Sequence, residues 1–364
     1  MKNGLSIRAV ERIAASMAQV VPQFDAKKFQ KNVMVGLEEL ELKARVHHII
    51  QHVHEAHNLP FKKFCRCLQS VPDVWDRGDA SDSKAAFAAW PIIDYIAVHG
   101  LAYPKESLQT LEKLTSLFTA EFAVRPFIQQ HTEISYQQLL RWCESTNEHV
   151  RRLASEGSRP RLPWGMQLPQ FIADPQPLAA ILQLLKADES LYVRRSVANN
   201  LNDISKDNTD WMIDLCRDWA KDNNPDTDWI IKHALRSLVK AGDARVFPLL
   251  GYTHKPKVTI ENFAIDNPCV SLGKELSFSF DIVGAKKSQD IVVDYVIYFM
   301  KANGNLAPKV FKLKNIHLAQ QPVNIQKSHS FKPISTRVYY PGLHQIAVQV
   351  NGVEMARLDF SLEV

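Results

Sequence analysis

A short basic segment recurs three times in the middle of this chain, and it constrains the fold more than any other feature. The copies are Val150-Arg151-Arg152-Leu153-Ala154, Val193-Arg194-Arg195-Ser196-Val197-Ala198 and Ile231-Lys232-His233-Ala234-Leu235-Arg236. The second begins 43 residues after the first, and the third begins 38 residues after the second. Each is expected to open a helix that follows an apolar helix and a polar loop. Two helices in such a period are typical of a HEAT-like α-solenoid.

The hydrophobic pattern changes after Gly251. Residues 5–251 carry helical periodicity almost throughout, whereas apolar residues alternate from Lys257 onward. Seven or so short strands in about a hundred residues predict an immunoglobulin-like β-sandwich, and Asn351-Gly352 predicts a two-residue hairpin turn. We therefore expect a multidomain chain: an all-α HEAT-like repeat solenoid over residues 1–252, followed by an all-β immunoglobulin-like sandwich over residues 257–364.

Composition excludes several classes of protein. The chain has 364 residues, a net charge of +5 and five scattered cysteines, which favours a globular protein of a reducing compartment over a disulfide scaffold. No apolar run approaches the length of a membrane span and the N-terminus does not read as a secretory signal, so a cytoplasmic location is expected. No phosphate-binding glycine loop, Gly-x-Ser-x-Gly or metal-ligand set is evident, so no cofactor and no metal are expected. His48 and His52 lie one helical turn apart, but a polar helix face is the preferred interpretation.

The repeated arginines predict a basic surface. If the second helices of the repeats line a concave face, their first turns present cations in register, which suits binding to a phosphate backbone. The stretch after the first copy adds two more arginines and a tryptophan between proline and glycine, a combination that suits phosphate contact and stacking or wedging. A solvated, charged helix end is the simpler alternative for any one of these groups. The residues predicted to contact DNA are Arg151, Arg152, Arg159, Arg161, Trp164, Arg194, Arg195 and Lys232, with Arg236 also on this surface.

Three carboxylates lie among these basic residues and are the candidates for chemistry. Glu121 sits in an otherwise apolar segment expected to be helical from Glu121 to His131, Glu156 follows Arg152 by one turn, and Asp203 lies at the far end of the second repeated helix. Carboxylates in a basic, aromatic groove suit hydrolysis of a glycosidic bond, because they stabilise an oxocarbenium ion and position water. The alternative for each is a salt bridge to the arginines or a capping role.

Two segments carry a family resemblance. Arg151-Arg-Leu-Ala-Ser-Glu-Gly-Ser-Arg-Pro-Arg-Leu-Pro-Trp164 and Tyr192-Val-Arg-Arg-Ser-Val-Ala-Asn-Asn-Leu-Asn-Asp-Ile-Ser-Lys-Asp207 closely resemble signature segments of the AlkC-type DNA alkylation repair glycosylases. The resemblance implies a bacterial monofunctional glycosylase that removes 3-methyladenine and 3-methylcytosine from a bent duplex, without fully extruding the base.

The same resemblance assigns roles to residues. It implies that Glu121 and Asp203 face the sugar of the lesion, with Glu156 as a third carboxylate. It implies that Arg152, Arg159, Arg161 and Trp164 contact DNA or prop it open near the lesion. It further implies that the partner is double-stranded DNA with alkylated bases, bound by a monomer with no obligate protein partner and no membrane.

Three functions remain open at the level of sequence. The first is a DNA glycosylase, and the second is a helical-repeat protein that binds damaged or bent DNA without catalysis. The third is a protein-binding HEAT scaffold, a common use of this architecture. Exposed lysines of the sandwich (Lys286, Lys287, Lys309, Lys312, Lys314, Lys327 and Lys332) are either solubility charges or an accessory DNA contact.

Overall fold

The helical part of the chain is built from many short helices. The computed structural model describes residues 2–79, 82, 84–284 and 287–364, so Lys286 lies outside the described residues. The α-helices are α1 (Ile7–Val20), α2 (Ala26–Met34), α3 (Leu42–Glu55), α4 (Phe61–Gln69), α5 (Val71–Val74), α6 (Trp90–His99), α7 (Pro104–Leu114), α8 (Arg125–Gln130), α9 (Thr132–Cys143), α10 (Glu148–Gly157), α11 (Pro169–Ala173), α12 (Leu178–Leu185), α13 (Leu191–Ile204), α14 (Thr209–Trp219), α15 (Pro225–Ala234), α16 (Arg236–Ala241) and α17 (Val246–Leu249). Short 3-10 helices span Lys2–Gly4, Leu37–Glu39, Ala85–Ala89 and Ala220–Asp222.

The repeats stack as the sequence period predicts. α9 packs on α10, α12 packs on α13, and the second helices α10, α13 and α15 lie side by side. In α13 the apolar residues Val193, Val197, Leu201 and Ile204 recur every three or four positions, and all are buried. That spacing puts them on one face, so burial against neighbouring helices drives the stacking.

The third copy of the repeated segment departs from the prediction. The first two copies open α10 and α13, but Ile231 lies late in α15, and Lys232 is in the last turn of that helix. α15 begins earlier because the Asn224 side chain accepts the backbone N–H groups of Asp226 and Thr227, with Pro225 at the first helical position. Lys232 is therefore not in register with the arginines of the first two copies.

The C-terminal strands form two sheets packed face to face. They are β1 (Val258–Ile265), β2 (Cys269–Ser271), β3 (Glu275–Gly284), β4 (Gln289–Met300), β5 (Leu306–Leu318), β6 (Val323–Ser330), β7 (Gly342–Val350) and β8 (Val353–Glu363). One sheet has the order β1-β3-β6 and the other β2-β8-β7-β4-β5, with β2 parallel to β8. Leu276, Phe278, Phe280 and Ile282 alternate along β3 and are buried in the shared core, as expected for a sandwich.

The predicted hairpin turn joins β7 to β8. Asn351 and Gly352 both have positive φ, 46° and 76°, which a tight two-residue turn requires. The Asn351 side chain is buried, accepting from Val292 N at 2.8 Å and donating to Thr253 O at 2.9 Å. This turn is therefore held by hydrogen bonds to two other segments of the same chain, as well as by its own backbone conformation.

The structure divides into two compact units. The first comprises the chain up to Asp214 together with Asp222–Ala234, and the second comprises Leu215–Lys221 and Leu235–Val364. The short helices α16 and α17 thus cluster with the strands in the second unit. The domain bounds 1–252 and 257–364 stay a prediction. Among the described residues, no helix has the length and apolar character needed to cross a membrane.

Candidate active site

Two of the predicted carboxylates occupy the same position on neighbouring helices. Glu156 is the penultimate residue of α10, and Asp203 is the penultimate residue of α13. Because these helices pack side by side, both carboxylates lie at one end of the repeat stack. They are 5% and 2% exposed. A helix C-terminus carries partial negative charge, so buried carboxylates there require cationic partners.

The third carboxylate, Glu121, lies in a turn and not in a helix. The helix expected from Glu121 to His131 begins only at Arg125, because Pro126 fits within the first turn of a helix and would disrupt a later turn. Glu121 is 9% exposed, and its Oε2 accepts a hydrogen bond from Thr119 Oγ1 at 2.7 Å. For Oε1 no hydrogen bond is recorded among the described residues, and the side chain lines a cavity. Glu121 therefore keeps one carboxylate oxygen available.

Arg159 joins Glu156 to Asp203. Its Nε donates to Asp203 Oδ2 at 2.7 Å, and its Nη1 donates to Glu156 Oε1 at 2.7 Å. Burial works against the charge of Arg159, but its hydrogen bond to Asp203 and the charge of Glu156 outweigh burial and raise its pKa. The prediction that Arg159 contacts DNA meets a physical obstacle, because its guanidinium is buried and holds two carboxylates.

Arg152 makes a second connection of the same kind. Its Nη2 lies 2.9 Å from Glu121 Oε2 and 3.6 Å from Glu156 Oε1. Burial opposes its charge, but the charges of Glu156 and Glu121 prevail and raise the pKa of Arg152. The guanidinium also stacks on Tyr192, with its carbon 4.7 Å from the ring centre, a cation–π contact. Arg152 is thus directed at the carboxylates and is packed against the ring of Tyr192.

These contacts form one chain of alternating charge, which we call the ion-pair network. Its members, in order of contact, are Glu121, Arg152, Glu156, Arg159, Asp203 and Lys206. Lys206 Nζ donates to Asp203 Oδ1 at 2.8 Å, and Ser196 Oγ donates to Glu156 Oε2 at 2.6 Å. Both oxygens of Glu156 are therefore engaged inside the protein. Carboxylates fixed in this way can stabilise a cation that develops beside them without first having to reorient.

Arg125 is a site residue that the sequence did not single out. It is fully buried and donates to the carbonyl oxygens of Gly157 at 2.9 Å, Met166 at 2.5 Å and Pro160 at 3.5 Å. Burial, and then the nearby Arg159, lower the pKa of Arg125 to about 10. Arg125 ties down both ends of the segment Ser158–Met166, which we call the Trp164 loop. Its only sequence signal is an arginine within an apolar segment.

Trp164 projects from this loop with unusual geometry. Its side chain is 81% exposed, and its φ is 62°. A left-handed backbone at a residue with a bulky side chain costs roughly 1–2 kcal/mol. Exposure of a tryptophan is also unfavourable unless a partner covers it. The loop contacts made by Arg125 offset this strain, so the tryptophan is held outward, as stacking or wedging requires.

The first arginine of each of the two complete repeat copies bridges successive repeats. Arg151 Nη1 donates to the carbonyl oxygens of Ser145 and Thr146, and its Nε donates to Asp188 Oδ2 at 2.6 Å. Arg194 repeats the pattern: its Nη1 donates to the carbonyl oxygens of residues 188 and 189, and its Nη2 lies 3.1 Å from Asp226 Oδ1. These two side chains are therefore not free cations on a surface, and their contact with DNA stays a prediction.

The remaining predicted DNA-binding cations differ in their surroundings. Arg161 makes two hydrogen bonds to Asp207, at 2.6 and 2.7 Å. Arg195 and Lys232 are exposed, and within the described part of the chain no ion pair is recorded for either. Arg195, the fifth residue of α13, is therefore accessible to a phosphate.

The histidines of α3 have partners within the protein. His48 Nε2 lies 2.9 Å from Val33 O, and His52 Nδ1 lies 2.9 Å from Glu55 Oε2. Among the described residues no group of three or more His, Cys, Asp or Glu side chains could hold a metal ion. This placement agrees with the interpretation of His48 and His52 as part of a polar helix face.

A cavity of about 630 Å³ adjoins the ion-pair network, and sequence reasoning did not identify it. Glu121 and Trp164 lie on its wall. The other lining residues are Leu42, Lys43, Val46, His47, Phe87, Trp90, Asp94, Phe118, Thr119, Phe122, Gly165 and Met166. Its aromatic residues come from distant segments, so no local pattern could have brought them together.

The chain is similar to known proteins over its whole length. Residues 259–364 match the family model described as "Uncharacterised protein YhaZ, C-terminal Ig-like domain". The "Uncharacterized protein YhaZ" of Bacillus subtilis (strain 168) is 38% identical over 343 residues, covering 94% of this chain and 93% of that protein.

A solved structure is similar to both parts of the chain. It is the Pseudomonas fluorescens alkylpurine DNA glycosylase AlkC bound to DNA containing an abasic site analog. The identity is 38% and the TM-score 0.92, with coverage of 100% of this chain and 99% of that one. With these two full-length similarities, the chain belongs to the AlkC family, and its C-terminal part is the immunoglobulin-like domain of the YhaZ model.

Proposed function

We propose that this protein is a monofunctional DNA glycosylase that hydrolyses the N-glycosidic bond of cationic alkylated bases in duplex DNA. The substrates proposed are 3-methyladenine and 3-methylcytosine. The observation that carries the proposal is the ion-pair network beside the exposed Trp164, in a member of the AlkC family. The relative with the solved structure is named as an alkylpurine DNA glycosylase and is bound to DNA with an abasic site analog.

The chemistry requires few groups. The bond between C1′ and the base nitrogen breaks, and its electron pair passes to the base, which becomes neutral. The oxygen of a water molecule bonds to C1′, and the proton it loses passes to a carboxylate or to solvent. A base that is already cationic leaves without a strong general acid, so the main need is negative charge beside the oxocarbenium ion.

The three carboxylates suit this task unequally. Glu121 retains an available oxygen at the cavity wall. Both oxygens of Asp203 are bound, by Arg159 and by Lys206, but the Lys206 side chain is 49% exposed and could release its oxygen to a ligand. We assign these two to the sugar and the attacking water. Glu156 has both oxygens engaged by Ser196 and Arg159, which supports a role in holding the two arginines in place.

DNA binding is assigned to the surface around this site. Trp164 would stack or wedge against the duplex near the lesion, and Arg161 and Arg195 would contact phosphates. The damaged base would leave without being fully extruded before the bond breaks. The lysines of the sandwich, exposed wherever the structure describes them, would add an accessory contact. We propose that the protein acts as a monomer in the bacterial cytoplasm.

A base-release assay tests the proposal. Duplex DNA methylated to carry 3-methyladenine or 3-methylcytosine is incubated with the full chain, and the free bases are identified by chromatography. Release of either base above the spontaneous rate is expected. Tight, salt-dependent binding of the same DNA without base release would instead identify a non-catalytic DNA-binding protein. One observation favours this alternative: each of the three candidate carboxylates is already paired with an arginine.

A further inference from the structure

The aromatic cavity beside Glu121 has the character of a ligand site. Four aromatic side chains, those of Phe87, Trp90, Phe118 and Phe122, are each only partly buried along its wall. Neighbouring ring centres are 5.3–6.1 Å apart; Phe87 and Trp90 meet edge to face, the other three pairs are tilted, and none is stacked. Their faces are thus left available to a planar molecule. The volume of about 630 Å³ lies in the range of small-molecule pockets, about 300–1,000 Å³.

Asp94 is a polar group on this wall that can orient a bound ligand. Asp94 Oδ2 accepts the Trp90 indole N–H at 2.7 Å, and no bond to its Oδ1 is recorded among the described residues. Burial raises the pKa of Asp94 to about 6, so it gains from a ligand that donates a hydrogen bond. Lys43 also lines the cavity, and its Nζ lies 3.5 Å from Trp164 O. Aromatic faces beside the carboxylate oxygens of Asp94 and Glu121 suit a heterocycle that carries N–H groups.

The cavity shares two residues with the candidate active site. Glu121 belongs both to the ion-pair network and to the cavity wall, and Trp164, in the Trp164 loop, also lines the cavity. A base that leaves C1′ beside Glu121 therefore meets an aromatic surface at once. Cleavage turns the cationic base into a neutral heterocycle, which loses its charge attraction to DNA and gains from stacking on the aromatic wall of the cavity.

We propose that this cavity binds the excised methylated base, as a free neutral heterocycle, after the glycosidic bond has broken. This inference rests on the proposed glycosylase function and adds to it a product site. The cavity would hold the base away from the sugar while water reaches C1′. The ligand class is a methylated purine or pyrimidine base with an exocyclic amino group or ring N–H.

Direct binding of the free base tests the proposal without requiring catalysis. The probe is free 3-methyladenine, measured by equilibrium dialysis against the full chain without DNA, with 2-deoxyribose as a second probe. Binding of the base and not the sugar is expected. Phe118→Leu, which removes one stacking face at similar volume, should weaken base binding about tenfold. Asp94→Asn, which replaces the acceptor charge, should weaken it several-fold.

The matched control is Tyr103→Leu, which removes an exposed aromatic ring outside the cavity. No binding of 3-methyladenine, preference for 2-deoxyribose, or equal weakening by Tyr103→Leu would each overturn the proposal. The proposal is also overturned if Phe118→Leu and Asp94→Asn slow single-turnover base release in parallel with their loss of free-base affinity, because the base would then occupy the cavity before cleavage. If the protein releases the base from methylated DNA but does not bind free 3-methyladenine, the proposed function stands and the product site is wrong. A protein that binds free base but releases none loses the proposed function.

Discussion

Arg159 Nε lies 2.7 Å from Asp203 Oδ2, across a separation of 44 residues in the sequence. One buried guanidinium thereby links the loop after α10 to the end of α13, and it fixes the direction of a candidate catalytic carboxylate. The bond joins the Trp164 loop to the chemistry proposed beside it. Its consequences can be tested separately for rate and for stability.

Asp203→Asn and Glu121→Gln should each reduce base release at least about ten-fold in single-turnover assays on methylated duplex. DNA affinity should be kept or improved, because the change removes an interaction of the transition state and a negative charge near phosphate. Glu144→Gln, at an exposed position after α9, is the matched control. Base release at the wild-type rate in both variants would contradict the catalytic assignment.

Arg159→Met should destabilise the first unit by about 3–5 kcal/mol, because Glu156 and Asp203 lose their shared buried cation. The measurement is urea unfolding followed by helical circular dichroism. Arg66→Met, on α4 and outside the ion-pair network, serves as the control. If Arg159 contacts DNA and has no structural role, the variant will keep its unfolding midpoint and lose only DNA affinity.

Local patterns predicted most of the fold. Helical spacing in α13 and alternation in β3 are properties of consecutive residues, and Asn351-Gly352 has the chemistry that its turn demands. The third repeat departs from the predicted register because Asn224 and Pro225 start α15 earlier than the basic segment indicates. Caps outweighed a weak sequence match there.

The candidate site could be predicted only in part. Glu121, Glu156 and Asp203 were identified as acids among arginines, and the structure brings them into one network. Which arginine pairs with which carboxylate depends on contacts between repeats. The hydrogen bond from Arg151 to Asp188, for example, joins residues that are 37 positions apart in the sequence. The role of Arg125 and the aromatic cavity depend on packing between distant segments, which the sequence does not display.

Gly352→Ala should destabilise the second unit by about 2–4 kcal/mol. Its φ is 76°, and a Cβ there would lie 2.1 Å from the Cα of Gly242, so backbone strain and overpacking add together. Gly304→Ala is the matched control, since its φ is 80° but nothing lies within 4 Å of the added Cβ; a loss of about 1–2 kcal/mol, from backbone strain alone, is expected there. Equal losses in thermal unfolding would show that the close approach of the two glycines has no energetic weight.

Asp94 should make the stability of the first unit depend on pH. Burial raises its pKa in the folded protein to about 6 from 3.8, so the folded state holds the proton more tightly than the unfolded chain. The resulting stability is fully present below about pH 4 and is lost as pH rises through 6, by up to about 3 kcal/mol. Asp94→Asn keeps an acceptor for Trp90, so it should flatten the unfolding free energy between pH 4 and 7. Asp266→Asn, at an exposed position, should not; an unchanged slope in Asp94→Asn would contradict the expectation.

Substitutions of Arg195 and Arg151, the second and the first arginine of the repeated segment, should affect DNA binding and stability respectively. Arg195 is exposed with no recorded ion pair in the described chain, so Arg195→Ala should lower the slope of log affinity against log salt by about 1 and leave the unfolding midpoint unchanged. Arg151 bridges to Asp188 and to the carbonyl oxygens of its own loop, so Arg151→Ala should instead cost about 1–3 kcal/mol of stability. Binding to unmodified duplex at several salt concentrations, with urea unfolding of the same samples, distinguishes the two effects. If both variants change the salt slope equally and neither changes stability, the arginines form the continuous basic surface that the sequence pattern predicts. The bonds from Arg151 to Asp188 would then break when DNA binds.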